Sequence, residues 1–130
     1  MANPFPIYTT RDANDSAAPA SEGVAVSSTN TYYSDMFGAT DADGFGLHLQ
    51  WTGDPTGTLT MWMSDKPHPL ETTDADWVQD TTWVPTNPAG SASKFRDDAS
   101  NAKAYRKRIK YVNASGTGTL FGWASVPSYK

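Results

Sequence analysis

The chain has 130 residues, a formal net charge of −4 and no cysteine. This length suits one domain with its own core, and the missing thiols exclude disulfides, thiolate metal sites and cysteine nucleophiles. The first residues lack the basic start and apolar run of a signal peptide, and no apolar stretch approaches the roughly 18 residues of a membrane span. We therefore expect a protein that is soluble as made and has no membrane partner.

Charge is distributed unevenly along the chain. Residues 1–93 contain two basic and twelve acidic residues, whereas residues 94–130 contain eight basic and two acidic ones. Such asymmetry indicates either a nucleic-acid surface or a basic patch that meets an acidic patch on a neighbouring copy. The overall acidity favours the second interpretation.

Residues 1–30 are rich in Ala, Ser, Thr, Asn, Asp and Pro and contain few large apolar side chains. Such a segment cannot offset its own ordering entropy, so it is either a flexible tail or an extended arm that becomes ordered against a partner. We predict an extended N-terminal arm in which Phe5, Ile7 and Tyr8 dock on a neighbouring subunit or partner. A folded domain over residues 31–130 follows it.

The stretch from residue 47 to residue 64 contains two runs in which apolar and polar residues alternate. Side chains on a strand point to opposite faces with a period of two, so each run offers one apolar face. Residues 52–57 supply the Gly, Asp and Pro that tight turns require. The pattern predicts a β-hairpin at the centre of a β-sandwich. Because Trp62 lies on the nominally polar face, we expect both sides of the second strand to be covered.

A long polar connection over residues 65–80, which we call the acidic connection, follows this hairpin, and short strand segments are predicted at residues 77–78 and 81–84. Two prolines follow these segments, and proline cannot donate a hydrogen bond to a sheet. Residues 94–103 are the one place where the sequence predicts a short helix.

Residues 105–112 alternate again, and residues 119–124 return as the last strand. The phrase Thr-Gly-Thr-Leu opens a strand twice, at residues 56–59 and 117–120, so two hairpins of the same design are predicted to frame the fold. Strands separated by turns, with almost no helix, predict an all-β fold: a single antiparallel β-sandwich of the jelly-roll kind. Alternation turns Leu120 to the opposite face from Phe121 and Trp123 in the last strand. We predict that six residues form the core: Trp51, Leu59, Met61, Ile109, Leu120 and Trp123.

The basic run over residues 106–110 is the sharpest charge feature. Alternation places Arg106, Arg108 and Lys110 on one strand face and sends Lys107 to the other, which disfavours a nucleic-acid surface. Like charges crowded on one face repel one another unless acids or solvent compensate. We predict that the acidic connection meets this face, either within one subunit or across an interface between subunits. Its candidate contact residues are Glu71, Asp74 and Asp76.

The residues typical of catalytic and metal sites are not arranged in recognisable patterns. The two histidines, His48 and His68, lack metal-ligand spacing. Asp41 and Asp43 begin like a calcium loop, but the later ligands are missing, and turns that hydrogen-bond their own backbone explain them more simply. No nucleophile motif or phosphate loop is present. We expect no enzymatic activity and no cofactor.

Short motifs made of turn and aromatic residues occur in a definite order along residues 45–124. They are Gln50-Trp51-Thr52-Gly53, Thr56-Gly57-Thr58-Leu59, Trp77 and Trp83, Asn87-Pro88-Ala89-Gly90, Tyr105-Arg106, and Ser115-Gly116-Thr117-Gly118-Thr119-Leu120. This order resembles small virion structural proteins of bacteriophages. The resemblance excludes the N-terminal arm. It implies a β-sandwich subunit of the particle shell, of a capsid decoration or spike, or of a tail appendage, and it carries no catalytic residue across.

These observations lead to an expected function and two alternatives. We expect a non-enzymatic virion protein, made in the host cytoplasm, that decorates or joins the capsid and binds other copies of itself and other virion proteins. The first alternative is a carbohydrate-binding sandwich of a tail fibre or spike, which would recognise host glycan through exposed Trp77 and Trp83. The second is a nucleic-acid-binding protein that uses the basic strand, which the overall acidity disfavours.

Overall fold

The computed structural model describes residues 5–7, 9–10, 21–38, 46–98 and 106–125, and strands account for most of them. One short 3-10 helix, Asp74–Asp76, lies in the long connection that follows the eighth strand. The described strands, in chain order, are β1 (Phe5–Pro6), β2 (Thr9–Thr10), β3 (Ser21–Glu22), β4 (Val24–Val26), β5 (Thr31–Tyr33), β6 (Phe37–Gly38), β7 (Gly46–Trp51), β8 (Thr56–Ser64), β9 (Val78–Asp80), β10 (Ser93–Asp98), β11 (Arg106–Ser115) and β12 (Gly118–Ser125).

Ten of the twelve described strands form two antiparallel sheets that pack face to face. The first sheet has the order β1–β12–β7–β10, and β4 pairs with the same edge of β12 as β1 does. The second sheet has the order β5–β11–β8–β9, and β6 shares the edge of β11 with β5. The short strands β2 and β3 pair only with each other among the described strands.

The order of the strands is that of a jelly roll. When β1 with β4 is taken as the first strand and β5 with β6 as the second, one sheet reads first, eighth, third, sixth. The other sheet then reads second, seventh, fourth, fifth. Two interleaved Greek keys of eight strands have this order. The predicted all-β sandwich is therefore confirmed.

Both predicted hairpins are wrong, because each pair of consecutive strands is divided between the sheets. β7 pairs with β12, and β8 pairs with β11, over long antiparallel registers. The short turns are corners that carry the chain from one sheet to the other. Alternation with a short turn fits a corner as well as a hairpin, since in both cases the two strands turn their apolar faces to the same core.

The two corners lie side by side and hydrogen-bond to each other. The backbone N–H of Thr52 donates to the carbonyl of Thr119 at 3.0 Å, and that of Asp54 donates to the carbonyl of Thr117 at 2.9 Å. In return, the N–H of Thr117 donates to a carboxylate oxygen of Asp54 at 3.1 Å. The Thr-Gly-Thr-Leu repeat thus marks two neighbouring corners.

The core lies between the inner faces of the two sheets. Five of the six predicted core residues are at most 3% exposed, and Trp123 is the exception. Because Leu120, Gly122 and Ala124 face inward, alternation places Trp123 on the outer face of the first sheet, where it is half-buried. The large side chains of this core are Ile7, Phe37, Leu47, Leu49, Trp51, Leu59, Met61, Trp83, Ile109, Tyr111 and Leu120.

The predicted helix over residues 94–103 is also wrong for the part that is described. Strand β10 occupies Ser93–Asp98 and pairs with β7 from Ser93 opposite Trp51 to Asp98 opposite Gly46. This pairing places Phe95 against the core, where it packs edge-on against Trp51. Tertiary pairing decides the conformation of a segment whose local pattern is weak. Residues 99–103 lie outside the described residues.

The described parts of residues 5–26 contact the sandwich of their own chain. Ile7 is fully buried, and its N–H donates to the carbonyl of Gly122 at 2.8 Å. The backbone of Phe5 pairs with Ala124. The expectation that Ile7 docks on a neighbouring subunit is therefore corrected, because the edge of β12 and the core beneath it supply the apolar contact within the chain. Tyr8 lies outside the described residues.

Candidate functional site

The basic face of β11 meets the acidic connection within one chain. The carboxylate of Asp74 lies 2.5 Å from an Nη atom of Arg108 and 2.6 Å from Nζ of Lys110. The hydrogen bonds from Arg108 and then from Lys110 hold the pKa of Asp74 below its ordinary value. Of the two arrangements that the sequence leaves open, the described structure has the intramolecular one.

Three aromatic rings enclose the guanidinium of Arg108, whose side chain is 0% exposed. Its central carbon lies 4.6 Å from the ring centre of Tyr33, 4.9 Å from that of Trp77 and 5.2 Å from that of Trp62. Lys110 also lies over the rings of Tyr33 and Trp62. A desolvated cation against aromatic faces gains roughly 2 kcal/mol or more per good contact. The half-buried Trp62 therefore forms part of a covered outer face, as its position in the sequence predicts.

The acidic connection is held over this face by hydrogen bonds of both its backbone and its side chains. The carbonyl of Glu71 accepts from Arg108 at 2.6 Å, and the Glu71 carboxylate accepts from the N–H of Met36 at 2.5 Å. Asp76 does not join the basic strand: it pairs with Lys66 at 2.9 Å and accepts from the N–H of Leu70 at 3.0 Å. The three predicted acids, Glu71, Asp74 and Asp76, therefore make different contacts, and each contact helps to hold the loop in place.

The position of each basic residue determines what it can contact. Arg108 cannot contact a phosphate, because the rings and the loop cover it, and Lys110 is already paired. Arg106 is half-buried where β11 begins, opposite Ser64 of β8. The basic face of β11 is therefore covered by the acidic connection and by aromatic rings, and it forms a charged cluster on the outer side of the second sheet.

Lys107 points into the sandwich, as alternation predicts, and is only 1% exposed. Burial lowers the pKa of its ammonium group, and the charge of Asp80 opposes that shift. Asp80 is itself buried and accepts hydrogen bonds from the N–H and hydroxyl of Thr82. We assign a structural role to the Lys107 ammonium and the Asp80 carboxylate.

Trp77 and Trp83, which the carbohydrate alternative takes as exposed, are both buried. Trp77 stacks on Arg108 and donates its indole N–H to the carbonyl of Leu70 at 2.9 Å. The indole of Trp83 donates to the carboxylate of Asp97 at 2.9 Å. The expectation that these two tryptophans contact glycan is therefore corrected.

The outer face of the first sheet carries an aromatic and polar group that the sequence did not reveal. Trp123 stacks parallel to Phe121 with 5.9 Å between ring centres, and it meets His48 edge-on at 5.2 Å. His48 shares a hydrogen bond with Gln50 at 2.9 Å between the Nε2 and Oε1 atoms. The prediction that Trp123 lies in the core is wrong, because alternation turns Trp123 to the opposite face from the buried Leu120.

Large apolar side chains remain exposed around β9, the edge strand of the second sheet. Val84 is 85% exposed, Val78 is 70% exposed and Leu70 is 64% exposed. Val78 belongs to β9 itself, which pairs with β8 on one side and forms the end of the sheet as described. An edge strand that carries apolar side chains is a ready surface for another chain.

No protein-family model matches the chain, and no curated protein matches it. Within the described ranges, no three His, Asp or Glu residues lie close enough together to hold a metal ion. The same part of the chain contains no helix with the length and apolar character needed to cross a membrane.

Proposed function

We propose that this chain is a non-enzymatic structural subunit of a bacteriophage particle, associated with the capsid or decorating it. The resemblance of its ordered motifs to small virion proteins supports the proposal. The jelly-roll order of its strands is a second support, because viral capsid domains commonly use this fold.

The exposed edge around β9 is the observation that carries the proposal. Single exposed apolar residues are common, but Val78 and Val84 flank one short stretch at the end of a sheet and are both more than two-thirds exposed. Charged groups of the neighbouring loop have partners within the chain: Asp74 pairs with Arg108, and Asp76 pairs with Lys66. This surface therefore offers apolar side chains and, in the described sheet, an edge strand whose outer side has no neighbouring strand. Within the described residues it does not offer unpaired charge.

We assign another copy of this chain as the first partner of that edge. An edge strand can pair with its own equivalent across a two-fold axis, since such a contact uses the same patch on both subunits. Burial of the two valines on each copy would remove them from water and continue the second sheet across the contact. Other virion proteins would then bind the oligomer.

Light scattering coupled to size exclusion tests this contact. The wild-type chain is expected to form an oligomer, and the double variant V78D/V84D is expected to be monomeric with an unchanged denaturant midpoint. The matched control is V112D, which changes a valine that is 39% exposed on β11, away from the β9 edge. It should assemble like the wild type. A double variant that assembles normally would contradict the assignment of this edge.

A further inference from the structure

The outer face of the first sheet contains a depression of about 360 Å³ between the ends of β7, β10 and β12. Gly46 forms its floor. A side chain at this position would meet an Nη atom of Arg96 at 2.7 Å and the hydroxyl of Ser125 at 2.8 Å, so both groups lie directly over the glycine. The absence of a side chain at Gly46 allows Arg96 and Ser125 to approach each other on the lining of the depression.

Aromatic and polar groups converge on this depression from three strands. Trp123 lies opposite His48 in the register of β12 with β7, and Arg96 lies opposite His48 on the other side. Gln50 holds the imidazole in place at 2.9 Å. A row of indole, imidazole and guanidinium therefore crosses the sheet, with a hydroxyl and an amide beside it.

The chemistry of this row favours one class of ligand. The described lining residues include one arginine and no carboxylate, so the site lacks the set of cations that a nucleic acid requires. It combines an aromatic surface with several donors and acceptors at fixed positions, as sites for small polar molecules do. A sugar ring offers apolar C–H groups to an indole and hydroxyl groups to polar side chains.

We propose that this depression is a saccharide-binding site. The sugar ring packs on Trp123, and its hydroxyl groups exchange hydrogen bonds with His48, Arg96 and Ser125. Gly46 leaves the space in which the Arg96 and Ser125 groups lie beside the ring. The site is independent of the assembly edge around β9, because it lies on the opposite sheet.

A glycan array of bacterial surface oligosaccharides, together with common mono- and disaccharides, tests the site. Saccharides that bind are then titrated by calorimetry against the wild type, W123A, R96A and K94A. Lys94 is the matched control, because it is an exposed cation on the same face of β10 as Arg96, two residues away, but does not line the depression. R96A and W123A should each weaken binding about tenfold or more, whereas K94A should bind like the wild type.

The test also works if W123A fails to fold. In that case R96A is compared with K94A, and the indole N–H resonance of Trp123 is followed during titration of the wild type with the bound saccharide. A shift of that resonance together with loss of affinity in R96A supports the site. An array with no bound saccharide, or a saccharide whose affinity is equal in R96A and K94A, overturns it.

Discussion

Asp74 places one carboxylate oxygen 2.5 Å from Arg108 and the other 2.6 Å from Lys110. One carboxylate therefore bridges two cations on the same strand face, and the loop that carries it covers the aromatic rings around Arg108. The strand would otherwise hold a fully buried guanidinium with no counter-charge, which is strongly unfavourable. This contact fixes the loop between β8 and β9, and β9 bears the edge that we assign to assembly.

The Asp74 contact predicts that D74N destabilises the protein. Removal of one partner from a buried ion pair typically costs about 3–5 kcal/mol, but the Asp74 side chain is 40% exposed, so we expect about 1–3 kcal/mol. Urea denaturation measures the change. D76N is the control, since its partner Lys66 is exposed, and it should shift the midpoint less. Equal shifts in the two variants would contradict a special role for Asp74.

The lowered pKa of Asp74 predicts how stability depends on acid. A carboxyl group whose pKa is lower in the folded protein contributes stability above its ordinary pKa of 3.8, and the contribution disappears as the pH falls through the folded value. The difference in unfolding free energy between the wild type and D74N should therefore be full at pH 6 and shrink below pH 4. A difference that stays constant down to pH 2 would show that the charge of Asp74 contributes nothing.

The buried hydroxyl of Tyr111 predicts how the stability of the protein changes at alkaline pH. Burial raises its pKa to about 12, and its hydroxyl donates to Asn113 at 2.7 Å within the core. Below pH 10, Y111F should lower the free energy of unfolding by about 1–3 kcal/mol, because the buried side-chain oxygen of Asn113 loses its donor. A raised folded pKa gives stability that is lost as the pH rises towards 12, so the advantage of the wild type should narrow above pH 10. Parallel pH profiles would refute this.

The adjoining corners predict a large effect at Gly116. Its φ is +78°, and a Cβ atom there would lie 2.1 Å from the backbone oxygen of Asp54 in the other corner. Gly90 is the matched control, since its φ is +88° but the nearest atom to such a Cβ lies at 3.5 Å. Both alanine variants incur backbone strain of about 1–2 kcal/mol, and G116A should cost about 1–3 kcal/mol more because of the clash. Equal thermal midpoints would contradict the contact between the corners.

The sequence predicted the fold class and most of the core because strands repeat every two residues, and that period alone separates Trp51 and Leu59 from their polar neighbours. It could not distinguish a hairpin from a corner, since the two differ only in long-range pairing. The error over Trp123 has a different origin. Leu120 and Trp123 are three residues apart, so a strand turns them to opposite faces, and a core that includes both conflicts with the alternation on which the prediction rests.

The charged site was predictable in part. Alternation placed Arg108 and Lys110 together, and the run of acids nearby suggested their partner, but only the folded loop decides that Asp74 makes the contact and Asp76 does not. The aromatic enclosure of Arg108 depends on Tyr33, Trp62 and Trp77, which come from three separate segments. No local sequence pattern predicts such contacts.

Quantitative mass spectrometry of phage particles tests the central claim most directly. Particles released from cells that make this chain would be purified on a density gradient, with a count of its copies relative to the major shell protein. The account predicts that the chain comigrates with particles in a fixed ratio, and that the assembly-edge variant V78D/V84D leaves them. A chain that remains in the particle-free fraction at every step would contradict a structural role in the virion.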